Sequence, residues 1–143
     1  EVVWGEVHDG NAHFLGGVAG HAGLFGTARE VALVAEQFLP GSRLLARDET
    51  FEAFRTNLTP GLEQHRSIGW MLASTPESSA GPALPPDAFG HTGFTGTSVW
   101  VDPHTAGVFV LLTNRTHPAY HSAPLNPTRR RLHEMVARRR RRV

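Results

Sequence analysis

The stretch FGHTGFTGTSVWVDPHTAGVFVLLTN (residues 89–114) decides the fold. In TSVWVD, Val99 and Val101 alternate with Ser98 and Trp100, which is the two-residue period of a strand. AGVFVLLTN (106–114) has no alternation and reads as a fully buried strand. Asp102-Pro103-His104-Thr105 between them has the composition of a hairpin turn. Strands this close are antiparallel, because parallel neighbours need a crossover of about a dozen residues or more.

Working upstream, TPESSAGPALPPD (75–87) is a Pro/Gly/Ser excursion between strands, and SIGWMLAS (67–74) is a further short strand. Before it, LLARDETFEAFRTNL (44–58) reads as a helix with Asp48 as its cap and Phe51, Phe54 and Leu58 on one side. TAREVALVAEQFL (27–39) starts with a capping box, Thr27 with Glu30, and sets Val31, Val34, Ala35 and Phe38 on one face. Pro40-Gly41 ends it. The glycine-dense segment 1–26 has no sustained period and reads as structured loop. Downstream, Leu132, Met135 and Val136 give a modest apolar stripe, so residues 126–143 form a terminal helix with an arginine tail. The resulting α/β (α+β) order is pocket loop 1–26, helices 27–58, strands 67–113 and a last helix, with the antiparallel sheet flanked by helices.

Length and composition set outer bounds. The chain has 143 residues, 40% of them hydrophobic and 8% aromatic, as in globular proteins. It lacks cysteine, which removes disulfides and thiolate metal sites. Its longest apolar run, VFVLL, is strand-sized. All 14 basic residues are arginine. Residues 128–143 hold eight of these arginines and one glutamate, so the net charge of +1 hides an acidic body and a basic tail. That tail lacks aromatic interleaving and reads as a helix end with favourable dipole sign, not as a nucleic-acid surface. His8, Asp9, His13 and His21 share one loop, but their spacing matches no metal-site pattern, so no metal and no cofactor is expected. Ser67, Ser98 and Ser122 lack the Gly-x-Ser-x-Gly elbow of a separate triad. Trp4, Trp70 and Trp100 are expected in the core or in a pocket wall.

The chemistry gathers at His91-Thr92-Gly93, where the Pro-rich loop meets the strands. Gly93 and Gly96 allow close approach to a strand edge, Thr92, Thr95, Thr97 and Ser98 offer hydroxyls, and His91 offers an adjustable charge. Backbone N–H groups on such an edge can face a developing oxyanion. A glycine-marked bulge with a surface histidine is the plainer alternative, and three residues do not decide between them.

HTGFTGTSVWVDPHTAGVFVLLTNR (91–115) resembles the third conserved box, and the two strands after it, of the serine β-lactamase and penicillin-binding-protein superfamily. That box is Lys-Thr-Gly in most members and His-Thr-Gly in some D-alanyl-D-alanine carboxypeptidases. The ending VFVLLTNR and the upstream VHDGNAHFLGGVAGHAGLFGTAREVALVAEQFL are similar to class C β-lactamase-related proteins. The resemblance covers roughly residues 5–117 and implies a β-lactamase/transpeptidase-like domain. It implies that His91 stands for the catalytic lysine whose charge faces the substrate carboxylate and supports the proton network, that Thr92 bonds that carboxylate, and that Gly93 leaves room for the acyl group. It also implies that the Phe94 N–H is an oxyanion-hole donor, and it places His21 at the pocket rim. The substrate it implies is a small molecule or peptide: a β-lactam, a D-alanyl-D-alanine peptide or an ester.

The departures are equally specific. A chain without lysine cannot contain the superfamily's Ser-x-x-Lys nucleophile. Its only tyrosine, Tyr120 in YHS, follows the His-Thr-Gly box instead of preceding it and reads as a decoy. With Glu1 as first residue, the expectation is a C-terminal fragment, residues 1–143 of one domain, inactive alone and dependent on a missing N-terminal part. The rival is a non-catalytic module of the same fold that binds a peptide or a peptidoglycan-like ligand. Export from the cytoplasm is implied by the resemblance alone.

Overall fold

The computed structural model describes residues 4–42 and 47–140. Its elements in chain order are α1 (Gly10–Phe14), α2 (Ala28–Glu36), α3 (Asp48–Arg55), β1 (Met71–Leu72), β2 (Phe89–Thr92), β3 (Ser98–Asp102), β4 (Gly107–Leu111) and α4 (Asn126–Arg140). The four strands form one antiparallel sheet in the order β1-β2-β3-β4. The register pairs His91 with Val99 and Trp100 with both Gly90 and Phe109. Asp102 closes the β3–β4 turn, its carboxylate accepting from the His104 N–H at 3.0 Å and the Thr105 hydroxyl at 2.8 Å.

Strand alternation divides the core into two layers. On one face Phe89 and Val101 pack with Leu72 against Ala35 of α2 and Phe51 and Phe54 of α3. On the other, Trp100 and Phe109 pack against Ala137 of α4 and against Ala80, Leu84 and Ala88 of the Pro-rich segment. The capping box at α2 is present, with Thr27 Oγ1 accepting from the Glu30 N–H and the Glu30 carboxylate from the Thr27 N–H.

Several expectations need correction. SIGWMLAS is not a strand along its length: Ser67–Trp70 is a turn closed by the Ser67 N–H on the Trp70 carbonyl, and only Met71–Leu72 is strand. AGVFVLLTN is not fully buried, because β4 has β3 as its one strand neighbour and Val108, Val110 and Leu111 stay half-exposed. Residues 75–87 do run between β1 and β2 as a loop, and they also contribute to the core, with Ser78, Ser79, Ala80 and Leu84 buried. Asp48 lies inside α3, whose N-cap is Arg47, and Leu58 lies beyond the helix, exposed. Leu44 to Ala46 lie outside the described residues, as do Arg141, Arg142 and Val143. Val34 is exposed, while Ala35 and Phe38 of the same expected face meet the core.

The largest change concerns α4. Met135 and Val136 of the expected apolar stripe face solvent, and the buried stripe is Arg129, His133 and Ala137, spaced four residues apart on one face. This face is polar because it meets exposed backbone carbonyls. His133 Nδ1 lies 2.8 Å from the Ser79 carbonyl, which can only accept, so Nδ1 carries the proton. Nε2 then accepts from the Ser98 hydroxyl at 3.3 Å. Burial pushes the His133 pKa down, opposed by the Ser79 carbonyl, with repulsion from Arg129 lowering it further.

Candidate active site

An open cleft of about 1110 Å³ lies between the N-terminal segment and the β2–β3 edge. One wall is formed by Glu6–Gly10 and Ala19–Gly26, including His8, Asp9 and His21, and the other by His91–Thr95 and Thr97–Val99, with Trp70 also in the lining. The structure thus brings together every residue expected at the site: His21, His91, Thr92, Gly93 and Phe94. Trp70 also packs on the core and Trp100 is wholly buried, but Trp4 is 90% exposed and belongs to neither core nor wall.

His91 sits at the end of β2, paired with Val99. Its Nε2 is 3.1 Å from Arg66 Nη1 and its Nδ1 is 2.9 Å from the Thr92 carbonyl. A guanidinium can only donate, so Nε2 accepts, and Nδ1 bears the proton that goes to Thr92. The ring is therefore neutral in this arrangement, and the fixed positive charge beside it belongs to Arg66. Arg66 reaches that position because the tight Ser67–Trp70 turn bridges it to Met71, which pairs with Gly90 beside His91. Its remaining side-chain bonds go to the Gln64 side-chain oxygen at 2.7 and 3.1 Å, and no carboxylate pairs with it among the described residues.

The turn from Gly93 to Thr97 is fixed almost atom by atom. Gly93 N–H donates to the Thr97 carbonyl at 2.9 Å and Gly96 N–H to the Gly93 carbonyl at 3.0 Å. Gly96 has φ 109°, a conformation that L side chains rarely adopt. A Cβ at Gly93 would collide with the Thr97 hydroxyl, so this glycine serves the turn itself. Arg129 of α4, 7% exposed, bonds the carbonyls of Gly93, Gly96 and Thr97 at 3.0–3.1 Å. Arg115 donates from Nε to the Phe94 carbonyl at 2.7 Å and from its backbone N–H to the Thr95 carbonyl at 3.0 Å. The Phe94 N–H itself has no acceptor among the described residues.

The Phe94 ring, 61% exposed, stacks on Tyr120 and on His8, each at 5.7 Å. The Arg115 guanidinium lies 5.2 Å from the Phe94 ring and 5.3 Å from that of Tyr120, within cation–π range. Across the cleft, His21 Nε2 is 2.9 Å from Asp9 Oδ1. The Ala12 N–H and then His21 hold the Asp9 pKa below the usual carboxylate range. His13 lies in α1 and does not line the cleft.

Ser–His contacts occur elsewhere but make no triad. Ser98 is 3% exposed, and the second nitrogen of its partner His133 is spent on a carbonyl instead of a carboxylate. Ser74 Oγ meets His65 Nδ1 at 2.9 Å at the surface. Among the described residues no three His, Asp or Glu side chains gather as metal ligands, and no helix is long and apolar enough to cross a membrane.

Sequence reading missed Arg66, Arg115 and Arg129, and set Tyr120 aside although it packs on Phe94. The available signal was compositional: every cation of the chain is an arginine, a side chain whose five donors can hold several acceptors at once.

A family model described as Beta-lactamase matches residues 2–133. The chain is 33% identical over 132 residues to a protein of Escherichia coli (strain K12) named "Putative D-alanyl-D-alanine carboxypeptidase", with 87% of this chain and 30% of that protein covered. A protein of the same name from Salmonella gallinarum (strain 287/91 / NCTC 13346) is 34% identical over 132 residues, with the same shares covered. The chain spans about 30% of the length of these curated relatives.

Proposed function

Because this chain belongs to the beta-lactamase family, we propose that it supplies the C-terminal wall of a serine acyl-transfer site that acts on peptides ending in a carboxylate, as D-alanyl-D-alanine peptides do. One observation carries the reading: the Phe94 N–H, without an acceptor among the described residues, stands on the His-Thr-Gly edge of an open cleft, where His91 meets a guanidinium that has no carboxylate partner among them. In this reading the Phe94 N–H donates to the carbonyl oxygen as it gains negative charge. The Thr92 hydroxyl and Arg66, held in line with His91, receive the substrate carboxylate. His91 Nε2 accepts a hydrogen bond from Arg66 and so orients the guanidinium. His21 and Asp9 form the opposite rim.

The nucleophile must come from residues beyond these 143, since a chain without lysine holds no Ser-x-x-Lys. Its serine oxygen would attack the scissile carbonyl, the amine would leave with a proton, and water would release the acyl group from the ester formed. The chain alone is then inactive. A second reading rests on the same missing lysine: a binding module that keeps the carboxylate site and performs no chemistry.

The coding sequence upstream of Glu1 separates the two. Ser-x-x-Lys followed by Tyr-x-Asn or Tyr-x-Ser supports the enzyme, and a true start codon immediately before Glu1 leaves only the binding module. In the full-length protein, mass spectrometry of the acyl adduct provides the functional test. His91→Ala should slow acylation by a carboxylate-bearing peptide about 10- to 100-fold, the worth of a charge-assisted hydrogen bond, and a neutral ester much less. Equal losses on both substrates would remove the carboxylate-anchoring role.

A further inference from the structure

We infer that Arg129, on α4 and outside the cleft, is a positioning residue that aims the Phe94 N–H. The inference rests on the proposed oxyanion role of that N–H and adds how the chain holds it. A trans peptide unit is planar, so the N–H of Phe94 points opposite to the carbonyl of Gly93. Arg129 Nη2 takes that carbonyl at 3.0 Å from the α4 side, which directs the N–H away from α4 and toward the cleft. The next peptide plane is held as well, since Arg115 Nε bonds the Phe94 carbonyl at 2.7 Å. Rotation of the Phe94 amide would break bonds on both sides of it.

The choice of residue has a physical reason. Arg129 is nearly buried, and its acceptors are three carbonyls and the Asn126 side-chain oxygen, with no carboxylate among them. Burial, with repulsion from Arg115, lowers its pKa, which is the electrostatic cost of this arrangement. A planar fork of five donors can serve three carbonyls of one turn at fixed angles, whereas an ammonium on a flexible stem cannot. The guanidinium also polarises the Gly93–Phe94 amide from behind, so that its N–H meets a negative oxygen more strongly. A neutral apolar contact would hold α4 against the sheet without a buried charge. The charge is explained by the turn it holds.

Arg129→Lys in the full-length protein tests this with paired oxoester and thionoester substrates. Sulfur accepts hydrogen bonds poorly, so the thionoester gains little from a well-aimed N–H. The expected result is a fall in kcat of about 10-fold or more on the oxoester, short of the roughly 10²–10³ for complete loss of such a donor, with the thionoester changed less than about twofold. Thermal unfolding should stay cooperative. Equal losses on both substrates, or none on the oxoester, overturn the inference. If the variant does not fold, nuclear magnetic resonance of the wild-type protein decides. The Arg129 Nε–H should exchange slowly and couple to the Gly96 carbonyl, while the Phe94 N–H exchanges fast. A fast-exchanging Arg129 Nε–H or a protected Phe94 N–H overturns it. If the wild-type protein forms no acyl-enzyme, the proposed function fails, and the same exchange measurement still tests Arg129.

Discussion

The two walls of the cleft are built in opposite ways. The β2–β3 wall is backed by Trp100 and Phe89, both fully buried, and its turn carbonyls are bonded by two arginines. The N-terminal segment that carries the other wall has one buried residue in its helix, Ala12; Leu24 of the wall itself is wholly exposed, as are most of Phe14 and Val18, which do not line the cleft. Backbone bonds and the Asp9 cluster shape it more than packing does. One wall is fixed by the core beneath it, and the other presents apolar surface of the kind that contacts a further protein surface. An active site assembled from both would be rigid where charge develops and adjustable where substrate enters.

The widest separation between the walls should appear with two tryptophans. Trp100→Ala removes a buried ring whose Nε1–H also bonds the Ser79 hydroxyl at 3.2 Å. It should cost about 3–5 kcal/mol in denaturant unfolding. Trp4→Ala, the same change at a 90% exposed position, should stay within about 0.5 kcal/mol. A Trp4→Ala loss close to that of Trp100→Ala would mean that the N-terminal wall is packed after all.

His133 provides a smaller effect that depends on pH. Burial keeps its folded pKa below the ordinary value of 6.5, so the folded protein binds this proton less readily than the unfolded chain does. The stability it contributes is complete above pH 6.5, declines as pH falls from that value to the folded pKa, and levels off below it. Melting followed from pH 8 to pH 5 should therefore show a fall that His133→Gln flattens, at a constant cost of about 1–3 kcal/mol for the imperfectly replaced buried bonds. A slope that is identical in wild type and variant would assign the pH dependence to other groups.

Much of the fold was legible because its signals are local. Strand alternation around Trp100, the Asp102 turn and the Thr27–Glu30 box each depend on neighbours within a few residues, and each is present in the structure. The family resemblance read from His91-Thr92-Gly93 and VFVLLTNR is borne out by the match over residues 2–133. What escaped is long-range and polar. Arg129 and His133 bond atoms more than 30 residues away, and hydropathy counts both as surface residues. Hydropathy therefore assigns the face of α4 to Met135 and Val136, although backbone carbonyls, beside the apolar contact at Ala137, meet that helix. Arg66 escaped similarly, since only the Ser67–Trp70 turn carries it to His91.

Asp9 offers the finest test of the contrast, because it acts inside the loosely packed wall. Its carboxylate caps α1 through the Ala12 N–H at 2.9 Å and also bonds His21. Asparagine is as good a cap as aspartate, whereas alanine provides no acceptor. Asp9→Asn should keep the Ala12 amide protected from exchange while weakening the hold on His21. Asp9→Ala should release both. The effect of either change should stay local to α1 and leave the cooperative unfolding of the β2–β3 wall in place. Because the folded Asp9 pKa is depressed, its bond is present above the unfolded carboxylate value and is lost as pH falls through the lower folded one. Acidification of the wild type should therefore release the Ala12 amide before the β2–β3 wall opens. If Asp9→Ala instead lowered protection at Gly93 and Gly96, the two walls would be one cooperative unit, and the division of labour between them would not hold.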